Sequence, residues 1–273
     1  PLAAATSPAA WEAVFREGIA AYMAELALLV RPTRGLYVSC DGVVCAAKRR
    51  QQRLRRFKGP WLAAAEAAVR GALLTSTEAR WNQNALTPGS AFMARLGPEL
   101  IEAGQRLAAR LGIEVIVSTT AEPGEGEHKL LAAMRRLRPA SCTIYGLDAD
   151  LILLAMLLET DTGAEVRLLR EAQEFESAVS TEGEWRHLSI HALTDVLVPA
   201  GRTRDFVAAM SLLGNDFLPR SLTRTVRVDG IPKLAATLDR CAGRLVGEDG
   251  GLDRMTLLAI VEEWAETGEA DML

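Results

Sequence analysis

Three short runs constrain this chain more than any other feature: residues 35–40 (GLYVSC), 113–118 (IEVIVS) and 142–146 (CTIYG). Each is largely apolar without strand-like alternation, and helical patterns at 91–111, 125–137 and 149–158 lie between or after them. A strand apolar on both faces needs cover on both faces, so this order predicts an α/β fold built on a parallel sheet. A fourth strand is predicted at 165–169 after the turn at Thr162-Gly163, and a helix at 11–30, stopped before Pro32, leads into the first. From about residue 185 the pattern predicts helices throughout, at 187–198, 202–213, 231–241 and 253–266, with no internal repeat.

Composition narrows the class. In 273 residues, 49% hydrophobic, the chain can build one large core or two small ones. The apolar fraction excludes a disordered chain, 4 Cys exclude a disulfide scaffold, and 22 Gly without period exclude a collagen-like one. The longest apolar stretch, 149–158, contains Asp150 and is far short of the ~20 residues of a membrane span. Residues 1–10 lack a basic n-region, so no secretory signal is expected, and a first residue of Pro instead of Met leads us to expect a fragment. Cys40, Cys45, Cys142 and Cys241 form no C-x-x-C pair and have no His at zinc-finger spacing. They are expected to be buried thiols of an intracellular protein, in cytoplasm or nucleus.

In an open parallel sheet, ligands collect outside the carboxyl ends of the strands. The residues there are acidic: Asp41 after the first strand, Glu125 and Glu127 in the loop after the second, Asp148 and Asp150 after the third. Asp216, at the end of a predicted helix, makes a sixth. A single Asp after a strand commonly caps a helix, but two tandem acidic pairs exceed what capping needs. Carboxylates crowded together raise each other's pKa unless cations neutralise them. Oxygen-only ligands select hard ions, so the expected cofactor is Mg²⁺ or Mn²⁺, two ions in number, a set suited to phosphodiester hydrolysis.

The run 48–58 (KRRQQRLRRFK) carries seven cations and no acid, in a chain of net charge −4. That is a local footprint for a polyanion, alongside the readings of a solvated helix or an import signal. If helical, it puts Lys48, Gln52, Arg55 and Arg56 on one face, which could grip a terminal phosphate beside the metal-binding residues. His187 and His191 are four apart in a predicted helix, but no third metal ligand accompanies them. Neither G-x-S-x-G nor a P-loop is present.

Taken together, SCDGVVCAAKRRQQRLRRFK (39–58), NALTPGSAFM (84–93), EPGEGEHK (122–129), YGLDADLILL (145–154), RE (170–171) and LLGNDFLPR (212–220) resemble, in order, the blocks of the Xrn family of 5′→3′ exoribonucleases. The resemblance implies a PIN-like, flap-endonuclease-like nuclease core at 1–220 with a helical extension at 221–273. It also implies digestion of single-stranded RNA from a 5′-monophosphate, with release of mononucleotides. The implied metal ligands are Asp41, Glu125, Glu127, Asp148, Asp150 and Asp216, and the implied phosphate pocket is Lys48, Gln52, Arg55 and Arg56.

Some positions depart from the family pattern. Its opening block, with an early Asp and a His, has no counterpart here. Cys45 and Ala46 stand where Pro-Arg is typical, and Arg220 stands where His follows GNDFLP. Two other readings are an inactive 5′-monophosphate RNA-binding relative and a flap-type DNA nuclease. The first would be marked by lost carboxylates, yet all six are present; the second by a DNA-gripping helix-hairpin-helix turn, absent around 243–251.

Overall fold

A computed structural model describes residues 7–69, 83–146, 148–171, 185–219, 221 and 224–272. The chain forms two compact units, residues 1–133 and 134–273.

In the first unit, α1 (Pro8–Val30) starts where the Ser7 hydroxyl accepts the Ala10 N–H at 3.2 Å. It leads into β1 (Gly35–Ser39), and α2 (Ala46–Val69) follows. Next, α3 (Ala91–Leu111) is bounded by Ser90, whose side chain accepts the Met93 N–H, and by Gly112 at φ 66°, a left-handed stop that glycine adopts without strain. It feeds β2 (Glu114–Ser118), which pairs parallel with β1 from Gly35 opposite Glu114 to Ser39 opposite Ser118. Helices α1 and α3 bury this ladder's side chains in two clusters. Met23, Ala27, Ala103 and Leu107 pack with Leu36 and Val38 of β1, while Phe92, Leu96 and Leu100 pack with Phe15, Ile19 and Val117. Helix α4 (Gly126–Leu137) follows β2 and contains the boundary between the units.

In the second unit, β3 (Ser141–Tyr145) and β4 (Glu165–Glu171) pair parallel on either side of α5 (Asp150–Thr162) in the sequence. The buried Val166, Leu168 and Leu169 make β4 the middle of this core, against Leu151, Ala155, Met156 and Leu158 of α5. The helices α6 (Ile190–Leu197), α7 (Thr203–Met210), α8 (Gly230–Arg240) and α9 (Arg254–Met272) complete it.

Three expectations are corrected here. The region after residue 185 is not helical throughout, because β5 (Trp185–Ser189) runs antiparallel to β4. His187 therefore lies on a strand and His191 on a helix, so the two do not share the helix face that their spacing predicted. The strands also hydrogen-bond as two ladders, β1-β2 and β3-β4-β5, instead of one. Burial of all four thiols fails at Cys45, which is exposed, while the other three are half-buried and all are free.

Candidate functional site

The loops leaving β1 and β2 are laced together by backbone. Gly42 N–H donates to Gly124 O at 2.8 Å, and Gly124 N–H donates back to Val43 O at 2.9 Å. Asp41 Oδ1 accepts the Gly126 N–H at 2.7 Å, and the Ser39 hydroxyl donates to Gly126 O at 2.7 Å. Since Gly126 opens α4, Asp41 sits where a helix start favours an anion. Only glycine fits at 42, because a Cβ there would lie 1.8 Å from Glu122 O. Lys129 holds the same loop from beneath, donating to Thr119 O at 2.9 Å and Glu122 O at 3.4 Å.

Across this loop comes the first turn of α2. Lys48 Nζ pairs with Glu125 Oε2 at 2.9 Å, both side chains only 14% exposed. One turn on, Gln52 is buried, and Arg56 after it is half-buried, whereas Arg55 is exposed. The sequence-predicted face is thus present as Lys48, Gln52 and Arg56, with Arg55 at its solvent edge. Glu127 is half-buried in the first turn of α4, and His128 is exposed. Burial pushes the Cys40 thiol upward, opposed by Lys129 and reinforced by Asp41.

The other three carboxylates belong to the second unit, and all are exposed. Asp148 Oδ1 accepts the Asp150 N–H at 3.2 Å at the entry to α5, while Arg170 Nη2, from β4, donates to Asp148 O at 2.6 Å. Asp216 lies in a loop turned by Gly214 at φ 96°, where Asn215 Oδ1 accepts the N–H groups of Phe217 and Leu218 at 2.9 and 2.8 Å. Arg220 lies outside the described residues.

The donor chemistry of these residues, all oxygen and anionic, fits a hard divalent cation. Among the described residues, no three or more of His, Cys, Asp and Glu stand grouped so as to hold a metal ion. Sequence reasoning missed Ser39, Lys129 and Arg170 as positioning groups. All three fall inside the quoted blocks, but their targets are backbone carbonyls, which no residue pattern reveals.

The first unit thus sets acidic residues that follow β1 and β2 against a cationic helix, within an α/β protein. The family described as XRN 5′-3′ exonuclease N-terminus matches residues 3–172, more than half of the chain. Similar relatives are 5′-3′ exoribonuclease 2 of Eremothecium gossypii, 30% identical over 74% of this chain and 27% of that protein, and 5′-3′ exoribonuclease 1 of Saccharomyces cerevisiae, 31% identical over 76% of this chain and 16% of that protein. The human 5′-3′ exoribonuclease 1 is 29% identical over 79% of this chain and 14% of its own length. The chain belongs to the XRN 5′-3′ exonuclease N-terminal family, and it spans about a quarter or less of the length of these relatives. No helix among the described residues is long and apolar enough to cross a membrane.

Proposed function

We propose that this chain acts as a metal-dependent 5′→3′ exoribonuclease on single-stranded RNA bearing a 5′-monophosphate, with a PIN-like core at 1–220 and a helical extension at 221–273. The observation that carries this reading is the Lys48–Glu125 contact at 2.9 Å, which sets the cationic helix α2 directly against an acidic loop. The family's named exoribonucleases supply the substrate class.

On this reading Lys48, Gln52, Arg55 and Arg56 hold the terminal phosphate through charge-assisted hydrogen bonds. Asp41, Glu125, Glu127, Asp148, Asp150 and Asp216 hold two ions, Mg²⁺ or Mn²⁺. When bound, such ions supply charge neutralisation and a more acidic water. In the net hydrolysis, water would supply the new P–O bond and the proton taken up by the 3′ oxygen as the P–O3′ bond breaks. A mononucleotide departs, and the shortened strand carries a new 5′-monophosphate. Each cleavage therefore regenerates the end that the pocket recognises.

The test is degradation of matched RNAs with 5′-monophosphate, hydroxyl, triphosphate or capped ends at one stated salt concentration. The monophosphate strand is expected to disappear fastest, because a pocket closed by four side chains has no room for a triphosphate or cap. Arg55→Ala with Arg56→Ala should erase most of the preference over hydroxyl. Equal rates on all four ends by the unaltered protein overturn the assignment.

A further inference from the structure

Helix α2 carries a second face that the phosphate pocket leaves unused. At 3.6 residues per turn, Arg50, Leu54, Phe57 and Trp61 fall in one stripe about 60° wide, roughly opposite Gln52. Leu54 is 56% exposed, Phe57 70% and Trp61 61%. Arg53 and Lys58 border the stripe on either side, both exposed, and residues 46–62 contain no acid. Two large aromatics held in solvent among cations, in a run without acid, are an unusual surface for a chain of net negative charge.

We propose that this face is a second binding surface for single-stranded RNA. Bases stack on Phe57 and Trp61, while Arg50, Arg53 and Lys58 pair with phosphates. The proposal rests on the exoribonuclease reading in one respect, that RNA is the polyanion at hand. The chemistry favours a single strand because aromatic platforms interleaved with cations accept any base by its π-face and track the backbone by charge. A membrane-surface helix instead presents a continuous apolar face separated from its cations. Here Arg50 lies inside the stripe and cations line both edges. The pocket face and this face occupy opposite sides of one helix, so RNA held on the outer face leaves the pocket open for a 5′ end.

The experiment uses the full chain, EDTA to prevent cleavage, and an unstructured 5′-hydroxyl oligonucleotide that the phosphate pocket does not select. Affinity is read by anisotropy at fixed salt. The Phe57→Ala, Trp61→Ala variant is expected to bind about tenfold or more weakly, in line with the loss per stacked base seen on alanine substitution. Phe57→Tyr with Trp61→Phe should restore binding, and circular dichroism confirms that each variant keeps its helix content. Quenching of Trp61 emission on RNA addition, taken as the difference between the unaltered protein and Trp61→Phe, reports stacking directly. Unchanged RNA affinity in the alanine variant overturns the proposal. Loss of binding to phosphatidylserine vesicles by that variant, with RNA affinity unchanged, also overturns it and assigns the face to membranes. Because the probe lacks a 5′-phosphate, failure of end selection by the pocket would leave this result untouched, and the reverse also holds.

Discussion

On the proposed reading, Lys48 and Glu125 each occupy the partner that the other's ligand would need. A cation on Glu125 would displace the ammonium, and a phosphate on Lys48 would displace the carboxylate. With both side chains mostly buried, the pair is screened less than a surface ion pair and competes more effectively. Glu125→Gln should therefore raise the affinity of the metal-free protein for a 5′-mononucleotide several-fold, while weakening its response to Mn²⁺. Calorimetric titration checks both, and a fall in metal-free mononucleotide affinity would count against competition for Lys48. Thiol reactivity offers a second check at this scale. Burial, then the nearby Glu159 carboxylate, push the Cys142 thiol up to about 11, and burial raises Cys40 as well. Since the thiolate is the reactive form, limiting iodoacetamide at neutral pH should label the exposed Cys45 well before either, read by peptide mapping. Cys45 directly precedes α2, so the label marks the start of that helix.

At the scale of elements, Asp205 of α7 ties a distant loop to its helix. It is 2% exposed, accepts Arg202 Nε and the Val246 N–H each at 2.9 Å, and Arg202 reaches Cys241 O at 2.5 Å and also Gly243 O. Removing one partner of a buried pair strands the other, so Asp205→Ala should cost about 3–5 kcal/mol in urea unfolding. A loss below ~1 kcal/mol would show that the pair is dispensable. Helix α9 should respond to pH. Asp253 accepts the Thr256 N–H at 2.8 Å, and this hydrogen bond holds its carboxyl below the usual aspartate value. The folded state then binds fewer protons, so the contribution is present above the ordinary aspartate pKa and is lost as pH falls through the lowered one. Amide exchange in the first turn of α9 should accelerate across that window, relative to the other helices, in the unaltered protein but not in Asp253→Asn. Where local chemistry agreed with packing, the elements were legible in advance: β1, β2 and β3 as apolar runs, and α3 to the residue because Ser90 and Gly112 mark its ends. β5 was hidden because WRHLS, exposed at three of its five positions, owes its form to pairing with β4. α2 continues through Pro60, against local propensity.

For the whole molecule, the acidic residues were legible because carboxylates after apolar strands form a pattern of residue types. Their supports were not, since Ser39, Lys129 and Arg170 act on backbone oxygens and depend on where chain segments meet. The six carboxylates divide between the two compact units, with Asp41, Glu125 and Glu127 in one and Asp148, Asp150 and Asp216 in the other. If each set binds Mn²⁺, the ion stabilises the unit that holds it. Ligand at 100 times its dissociation constant adds about 2.7 kcal/mol to the folded state. Mn²⁺ should therefore raise the unfolding temperature, and Asp41→Asn or Asp150→Asn should each reduce the shift while leaving the metal-free melt nearly unchanged. No shift with Mn²⁺, or a shift that both variants keep in full, would overturn the metal assignment.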